Sequence, residues 1–86
     1  MARKNEITCK IDKIAGNKIE KLRLSMGLSR AQLGEKIDVT HQQLQKYERG
    51  SNRISFGRMC VIAKVLHKPL SYFCDEPESE LPSQCL

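Results

Sequence analysis

Residues 28–50 contain two closely spaced helix-start signals, and these constrain the fold more than any other feature of the chain. Ser29 is followed three positions later by Gln32, and Thr40 is followed three positions later by Gln43. This spacing is typical of a capping box, in which a hydroxyl and an amide satisfy backbone N–H groups that the start of a helix leaves unpaired. A first helix of about two turns fits between the two boxes. The stretch therefore predicts a short helix, a tight turn and a second helix.

The turn between these two helices falls at Asp38. A chain that reverses this sharply often needs a residue with positive φ, which Asp tolerates better than most residues other than glycine. Gly50 stands where the second helix should end. We therefore expect left-handed backbone at Asp38 and a second helix over residues 41–49.

The second helix has a narrow apolar side and a polar side. Leu44 and Tyr47 lie three positions apart on the apolar side. The polar side carries no carboxylate; it consists of His41, Gln42, Gln45, Lys46 and Arg49. Amides, an imidazole and cations can hydrogen-bond base edges or phosphates. An ordinary solvated helix face is the alternative, but the turn in front of the helix and its basic surroundings favour nucleic acid.

The charge of the chain is unevenly distributed. The 86 residues carry a net charge of +5, and their number predicts one small domain. Residues 1–74 hold all 15 basic residues and six of the ten acidic ones, a net charge of +9. Residues 75–86 hold the other four acidic residues, a net charge of −4. A basic domain followed by an acidic tail indicates a polyanionic partner.

Composition argues against several other classes of protein. Cys9, Cys60, Cys74 and Cys85 form no CxxC motif, so we expect no metal site, and since nothing in the sequence suggests secretion we expect reduced thiols. The chain shows no carboxylate pair or nucleophile beside a base, and we expect neither an enzyme nor a cofactor. It has no apolar run of about 20 residues and no signal peptide, which predicts an intracellular, cytoplasmic protein without membrane contact.

Apolar periodicity predicts a first helix before the central pair. Asp12 is placed to cap it, and Gly27 is placed to end it. Gly16 should weaken its first turn. The residues at helical spacing that we expect to be buried are Ala15, Ile19, Leu22 and Met26.

Two more helices are predicted after the pair. Ser55 caps a fourth helix, and Pro69 precedes a short fifth one over residues 70–74. The inward side of the fourth helix should consist of Phe56, Met59, Cys60, Ile62, Ala63, Val65 and Leu66. The sequence thus predicts an all-α domain of five helices over residues 12–74, with a basic arm at 1–11 and an acidic, disordered tail at 75–86.

This arrangement resembles the Cro/repressor-type, XRE-like helix-turn-helix family. The resemblance covers about residues 16–73 and rests on Gly27-Leu28-Ser29, Leu33, Val39-Thr40, Tyr47-Glu48-Arg49-Gly50, Ile62-Ala63 and Leu66. It implies a compact lambda-repressor-like fold and a transcriptional regulator, most simply a repressor, that binds double-stranded DNA as a homodimer. The chain departs from the family at Gly34, where alanine is usual, and at Asp38, where glycine is usual.

The resemblance also implies roles for individual residues. Base readout in the major groove would fall to Thr40, His41, Gln42, Gln45 and Lys46. Contacts to the DNA backbone would fall to Ser29, Arg30, Gln43, Arg49, Ser51, Asn52 and Arg53. Arg23 and Glu48 occupy positions that pair in the family. The dimer seam is expected in the fifth helix at Leu70 and Tyr72, for which the sequence suggests no role inside the domain.

Two questions remain open at the level of sequence. A protein-interaction module, such as an antitoxin or a restriction-control partner, is an alternative function that overlaps with DNA binding. The acidic residues at 75–80 could compete with DNA for the basic face, or they could serve solubility alone.

Overall fold

Short amphipathic segments separated by capping residues produce a fold of five helices. The computed structural model describes residues 6–74, and it describes side-chain surroundings from residue 10 onward. Within that part the chain forms α1 (Glu6–Ser25), α2 (Arg30–Ile37), α3 (His41–Arg49), α4 (Phe56–Val65) and α5 (Leu70–Cys74), with no strand. The predicted all-α architecture is confirmed. The predictions for residues 1–5 and 75–86 lie outside the described residues.

Helix α1 extends further toward the N-terminus than its sequence signals predict. The structure is helical from Glu6, so the prediction that α1 starts at Asp12 is wrong, as is an arm that reaches residue 11. No proline or glycine interrupts residues 6–15, and the helix therefore continues through a residue that could have capped it. Gly16 consequently lies in the middle of α1 instead of in its first turn.

The helix-turn-helix pair follows the predicted capping closely. The Ser29 hydroxyl accepts from the Gln32 N–H at 3.0 Å, and the Gln32 amide oxygen accepts from the Ser29 N–H at 2.7 Å. Asp38 adopts the left-handed conformation with φ 63° and ψ 43°, as predicted. At Thr40 half of the box forms, because the hydroxyl accepts from the Gln43 N–H at 3.1 Å while the Gln43 amide makes no return bond. The prediction of a second complete capping box is wrong.

The difference between the two caps gives a testable ordering. Ser29→Ala is expected to lower the free energy of unfolding by about 1 kcal/mol, and Thr40→Ala by less, because the two bonds of the Ser29 cap hold each other's geometry and loss of the hydroxyl also weakens the return bond from the Ser29 backbone N–H. Urea denaturation followed by circular dichroism measures both. Gln32→Ala is the matched control, since it removes only the return bond. Equal losses for Ser29→Ala and Thr40→Ala would contradict the ordering.

The hydrophobic core takes side chains from all five helices. It consists of Ala15, Ile19, Leu33, Ile37, Leu44, Ile62, Ala63, Leu66 and Phe73, each at most 9% exposed. Helix α1 packs against α3 and α5, and α2 packs against α3 and α4. Helix α3 therefore rests on two helices, α1 and α2.

Two residues that the periodicity places in the core lie outside it. Met26 is 42% exposed because α1 ends at Ser25 and the chain reverses at Gly27, where φ is 71°. Phe56 is 75% exposed. Phe56 is the first residue of α4, and helical side chains lean toward the N-terminus of their helix. Its ring therefore extends beyond the N-terminal end of α4 and does not pack onto the core.

The end of α4 provides a second non-glycine residue in the left-handed region. Leu66 is the C-terminal cap, and His67 follows with φ 60°. The Lys68 N–H then donates to the Ala63 carbonyl at 3.0 Å, as in a helix-terminating turn. His67 is exposed and marks the change of direction that leads into α5.

Candidate nucleic-acid interface

The polar side of α3 faces away from the core. His41, Gln42, Lys46 and Arg49 are exposed, and Gln45 is half-buried. Leu44, on the opposite side of the helix, is fully buried. The structure thus places five side chains that can donate hydrogen bonds on one surface, with no carboxylate of α3 among them.

The acidic residue of α3 is turned inward. Glu48 is 5% exposed and Arg23 of α1 is 6% exposed. Arg23 Nε donates to Glu48 Oε2 at 2.7 Å, and Arg23 Nη1 donates to the Leu28 carbonyl at 2.9 Å. Arg23 and Glu48, expected to pair, therefore do so. Their bond joins the end of α3 to the end of α1.

A second arginine shares the same carboxylate, which the sequence does not predict. Arg30 Nε donates to Glu48 Oε1 at 2.8 Å, and its Nη2 lies 3.5 Å from Glu20 Oε2. The Arg30 side chain is 33% exposed. This residue was expected to meet a DNA phosphate, and only the N–H groups not directed at Glu48 and Glu20 remain for that contact. Glu48 is the centre of a network that ties α1, α2 and α3 together.

Gly16 allows α1 and α3 to approach closely. A Cβ atom at this position would lie 2.5 Å from the Glu48 carbonyl oxygen and closer still to that of Tyr47. No larger residue fits without displacement of one helix, because the obstacle is backbone. The sequence alone shows only a glycine that lowers helix propensity. The residues that require it, Tyr47 and Glu48, lie some thirty positions away along the chain.

The loop after α3 places further polar groups beside it. Gly50 is left-handed with φ 73°, and a Cβ there would lie 2.7 Å from Lys13 Cγ. Ser51 Oγ donates to the Lys46 carbonyl at 3.2 Å, so this hydroxyl caps α3. Arg53 is exposed, and its Nε lies 3.9 Å from Asp12 Oδ2, a distance that leaves the guanidinium free to turn toward a phosphate.

The other residues expected to contact the DNA backbone differ in exposure and in hydrogen bonding. Ser29 is exposed, but its hydroxyl is used by the capping box. Gln43 is half-buried, and its side-chain amide is not held by the cap. Asn52 is half-buried, and its N–H points to the Lys46 carbonyl at 3.4 Å. Gln43 is therefore a stronger candidate for a DNA contact than the sequence indicates.

The two residues predicted at a dimer seam have roles within the domain. Leu70 and Tyr72 pack against the core. The Tyr72 ring has Lys18 Nζ 4.8 Å and Lys68 Nζ 4.9 Å from its centroid, and Lys18 Nζ also donates to the Tyr72 carbonyl at 2.8 Å. The sequence analysis places the seam at α5 because it finds no contact for Leu70 and Tyr72 inside the domain, and that reason is wrong.

Arg58 is a structural residue that the sequence analysis missed. Its Nη1 donates to the Ile37 carbonyl at the end of α2, which is one of the carbonyls that a helix terminus leaves without an intrahelical partner. This bond ties α4 to the turn of the helix-turn-helix pair. The partner lies 21 positions away, and no local sequence signal identifies it.

Between residues 6 and 74 no helix has the length and apolar character needed to cross a membrane. The same residues contain no cluster of three or more His, Cys, Asp or Glu side chains arranged to hold a metal ion.

Curated relatives resemble the chain over most of its length. A Rickettsia conorii protein named as an HTH-type transcriptional regulator is 60% identical over 73 residues, 85% of this chain and 58% of the relative. A Rhizobium meliloti protein with the same type of name is 39% identical over 66 residues, 77% of this chain and 48% of the relative. The chain thus spans about half the length of the curated relatives it matches.

A solved structure shares the fold of this chain, and a family model matches its sequence. The crystal structure of the clp gene regulator ClgR from Corynebacterium glutamicum superposes with a TM-score of 0.68, covers 73% of this chain and 82% of that one, and shares 19% sequence identity. This similarity concerns the fold alone. A family model described as helix-turn-helix matches residues 19–73, the segment that contains α2, α3 and the residues that hold them. The chain therefore belongs to the XRE-like helix-turn-helix family of DNA-binding regulators.

Proposed function

We propose that this domain binds double-stranded DNA as a homodimer, inserts α3 into the major groove and represses transcription at its target sites. The observation that carries the proposal is the division of α3 into two sides. One side is anchored by Leu44 and Glu48, and the other presents amides and cations without a carboxylate. An α-helix fits the major groove, where side chains of this kind distinguish base pairs.

The proposed roles follow from position on α3 and its flanks. Gln42 is exposed on the outward side and can form the two-bond contact with adenine that glutamine geometry permits. Thr40, His41, Gln45 and Lys46 are the other candidates for base contacts. Arg49 and Arg53 are exposed cations at the end of α3 and beyond it, suited to phosphates on either side of the groove. Backbone contacts from Ser29, Arg30, Gln43, Ser51 and Asn52 complete the proposal.

Homodimer formation is proposed because one α3 reads only a few base pairs. Two copies related by a twofold axis would place their recognition helices about 34 Å apart, one turn of the duplex. Repression is the simplest outcome, since a bound dimer excludes other proteins from the site without a further contact. A reporter gene placed behind the selected site tests the direction of regulation, and increased expression would contradict repression.

The experiment that tests DNA recognition has two steps. Selection from a random duplex library identifies the bound sequence, and fluorescence anisotropy then compares variants on that sequence and on random DNA. Gln42→Ala is expected to lose about 1–3 kcal/mol of discrimination at one base position, because it removes a base contact. Arg53→Ala is expected to weaken both duplexes alike and to reduce the slope of log K against log salt by about 1, because it removes one phosphate contact.

The two variants control each other. Both residues lie outside the core, so their unfolding transitions should match that of the wild type. Equal losses for Gln42→Ala on selected and random DNA would contradict base readout by this residue. No selected sequence at all would contradict the proposed function.

A further inference from the structure

Four charged side chains where α1, α2 and α3 meet form a closed cycle of ion pairs. Glu48 binds Arg23 through Oε2 at 2.7 Å and Arg30 through Oε1 at 2.8 Å. Glu20 Oε2 lies 3.5 Å from Nη2 of Arg30 and 3.9 Å from Nη2 of Arg23. Each carboxylate therefore contacts both guanidinium groups, and each guanidinium contacts both carboxylates.

The inner and outer halves of this cycle differ in exposure. Arg23 and Glu48 are buried, whereas the side chains of Arg30 and Glu20 are 33% and 40% exposed. Each buried charge of the inner pair already has an opposite charge in hydrogen-bond contact, which is what burial of an ion pair requires. An ion pair as exposed as that of Glu20 adds little to stability. The stability of the domain therefore explains Arg23 and Glu48, and it does not explain Glu20.

The cycle determines which part of the Arg30 guanidinium is left for a ligand. Nε and Nη2 lie on the same edge of this planar group, and both are directed at carboxylates. Nη1 makes no hydrogen bond to any residue that the structure describes. Its two N–H groups, with the second N–H of Nη2, form the other edge of the group. That edge can donate two parallel hydrogen bonds to the oxygens of one phosphate.

We propose that Glu20 is a positioning residue for DNA binding, which together with Glu48 holds the Arg30 guanidinium ready to donate to a backbone phosphate through Nη1. The inference rests on the proposed function, in which Arg30 contacts the DNA backbone, and it adds a residue that contacts no DNA. With Glu48 alone, one hydrogen bond would hold Arg30, and the group could pivot about it. A side chain that is fixed before the duplex arrives loses less conformational freedom on binding.

The sign of the effect distinguishes positioning from simple charge. Glu20 is acidic, so removal of its charge would tighten binding to a polyanion if repulsion were its only effect. Positioning has the opposite sign, because removal of Glu20 releases Arg30. At about 0.15 M salt the Debye length is about 8 Å, which screens an exposed carboxylate from distant phosphates. Measurement at this salt concentration therefore reveals the positioning effect.

The test uses the full chain and the selected duplex, with binding measured by fluorescence anisotropy. Glu20→Gln is expected to weaken binding about three- to tenfold, the range that corresponds to the ordering of one long side chain. It keeps the side-chain volume, and its unfolding transition should stay close to that of the wild type. Glu35→Gln is the matched control, since Glu35 is an exposed residue of α2 outside the cycle. This control removes the same charge, and its binding should equal or slightly exceed that of the wild type.

A double variant shows whether Glu20 acts through Arg30. Arg30→Ala is expected to weaken binding at least as much as Glu20→Gln, because the phosphate contact itself is lost. Addition of Glu20→Gln to Arg30→Ala is expected to cause no further weakening, since no guanidinium remains to be held. Equal losses from Glu20→Gln in both backgrounds would overturn the inference.

Nitrogen-15 relaxation of Arg30 Nε in the free protein tests the positioning without DNA. The wild type is expected to give an order parameter near that of rigid backbone, about 0.85, and Glu20→Gln is expected to lower it toward about 0.6. Glu35→Gln should leave it unchanged. An Arg30 side chain that is equally ordered in wild type and Glu20→Gln would contradict a positioning role.

The outcomes separate this inference from the proposed function. Weaker binding and lower order at Arg30 in Glu20→Gln, with Glu35→Gln unchanged in both, support the inference. A wild type that selects a sequence, with Glu20→Gln bound as tightly or more tightly, overturns the inference and leaves the proposed function standing. A wild type that selects no sequence overturns both, and the relaxation measurement then still decides whether Glu20 orders Arg30.

Discussion

Glu48→Gln is expected to lower the free energy of unfolding by about 3–5 kcal/mol, the size observed when one partner of a buried ion pair is removed. Glu48 and Arg23 are both buried, and Arg30 Nε binds the second oxygen of the same carboxylate. Glutamine keeps the volume and removes the charge, so Arg23 would stay buried without compensation. Because domains of this size are stable by only about 5–10 kcal/mol, urea denaturation should detect a large change.

Two further variants test whether the loss comes from the buried charge of Arg23 or from the removal of any acidic side chain. Glu20→Gln is the matched control, since Glu20 lies 3.9 Å from Arg23 Nη2 and its side chain is 40% exposed. It should change stability by less than about 1 kcal/mol. The double variant Arg23→Met/Glu48→Leu should recover most of the loss, because an apolar pair leaves no buried charge. A double variant as unstable as Glu48→Gln would show that the carboxylate acts in another way.

Gly16→Ala is expected to lower the free energy of unfolding by about 2 kcal/mol or more, although alanine is the better helix former. The added Cβ would meet the carbonyl oxygens of Tyr47 and Glu48, so α1 and α3 would have to separate. The separation also stretches the Arg23–Glu48 bond. We therefore expect the folded fraction to bind its selected DNA more weakly, as measured by fluorescence anisotropy below the unfolding midpoint.

The control for Gly16→Ala is the same substitution at Gly57, where the space is open. Gly57→Ala should stabilise the domain by up to about 1 kcal/mol. Opposite signs at the two positions would attribute the Gly16 effect to packing and not to helix propensity. Stabilisation at both positions would contradict the close approach of α1 to α3.

The helix-turn-helix pair could be predicted from sequence because its signals are local. Ser29, Asp38, Thr40 and Gly50 define where α2 and α3 begin and end, and each acts within a few residues of itself. Helix α2 has the predicted length of about two turns, and α3 has the predicted bounds. Division of α3 into a buried and an outward side follows from helical periodicity, which is equally local.

The parts that could not be predicted depend on distant partners. Arg30 binds a carboxylate 18 positions away, so its sequence neighbours indicate only a cation at a helix start. Phe56 has the spacing of a core residue, but periodicity does not show whether another helix lies opposite its ring. Leu70 and Tyr72 were assigned to a dimer seam because their partner within the domain, α1, is far away in sequence.

The separation of the two sides of α3 has a consequence for how such a domain can change. The side chains of His41, Gln42, Lys46 and Arg49 are exposed, while those of Leu44 and Glu48 are buried against the other helices. If these side chains read DNA as proposed, substitutions that alter target preference can accumulate without loss of the scaffold. A lineage that starts from this chain could then acquire new regulatory sites one residue at a time while it keeps the buried contacts that hold the helices.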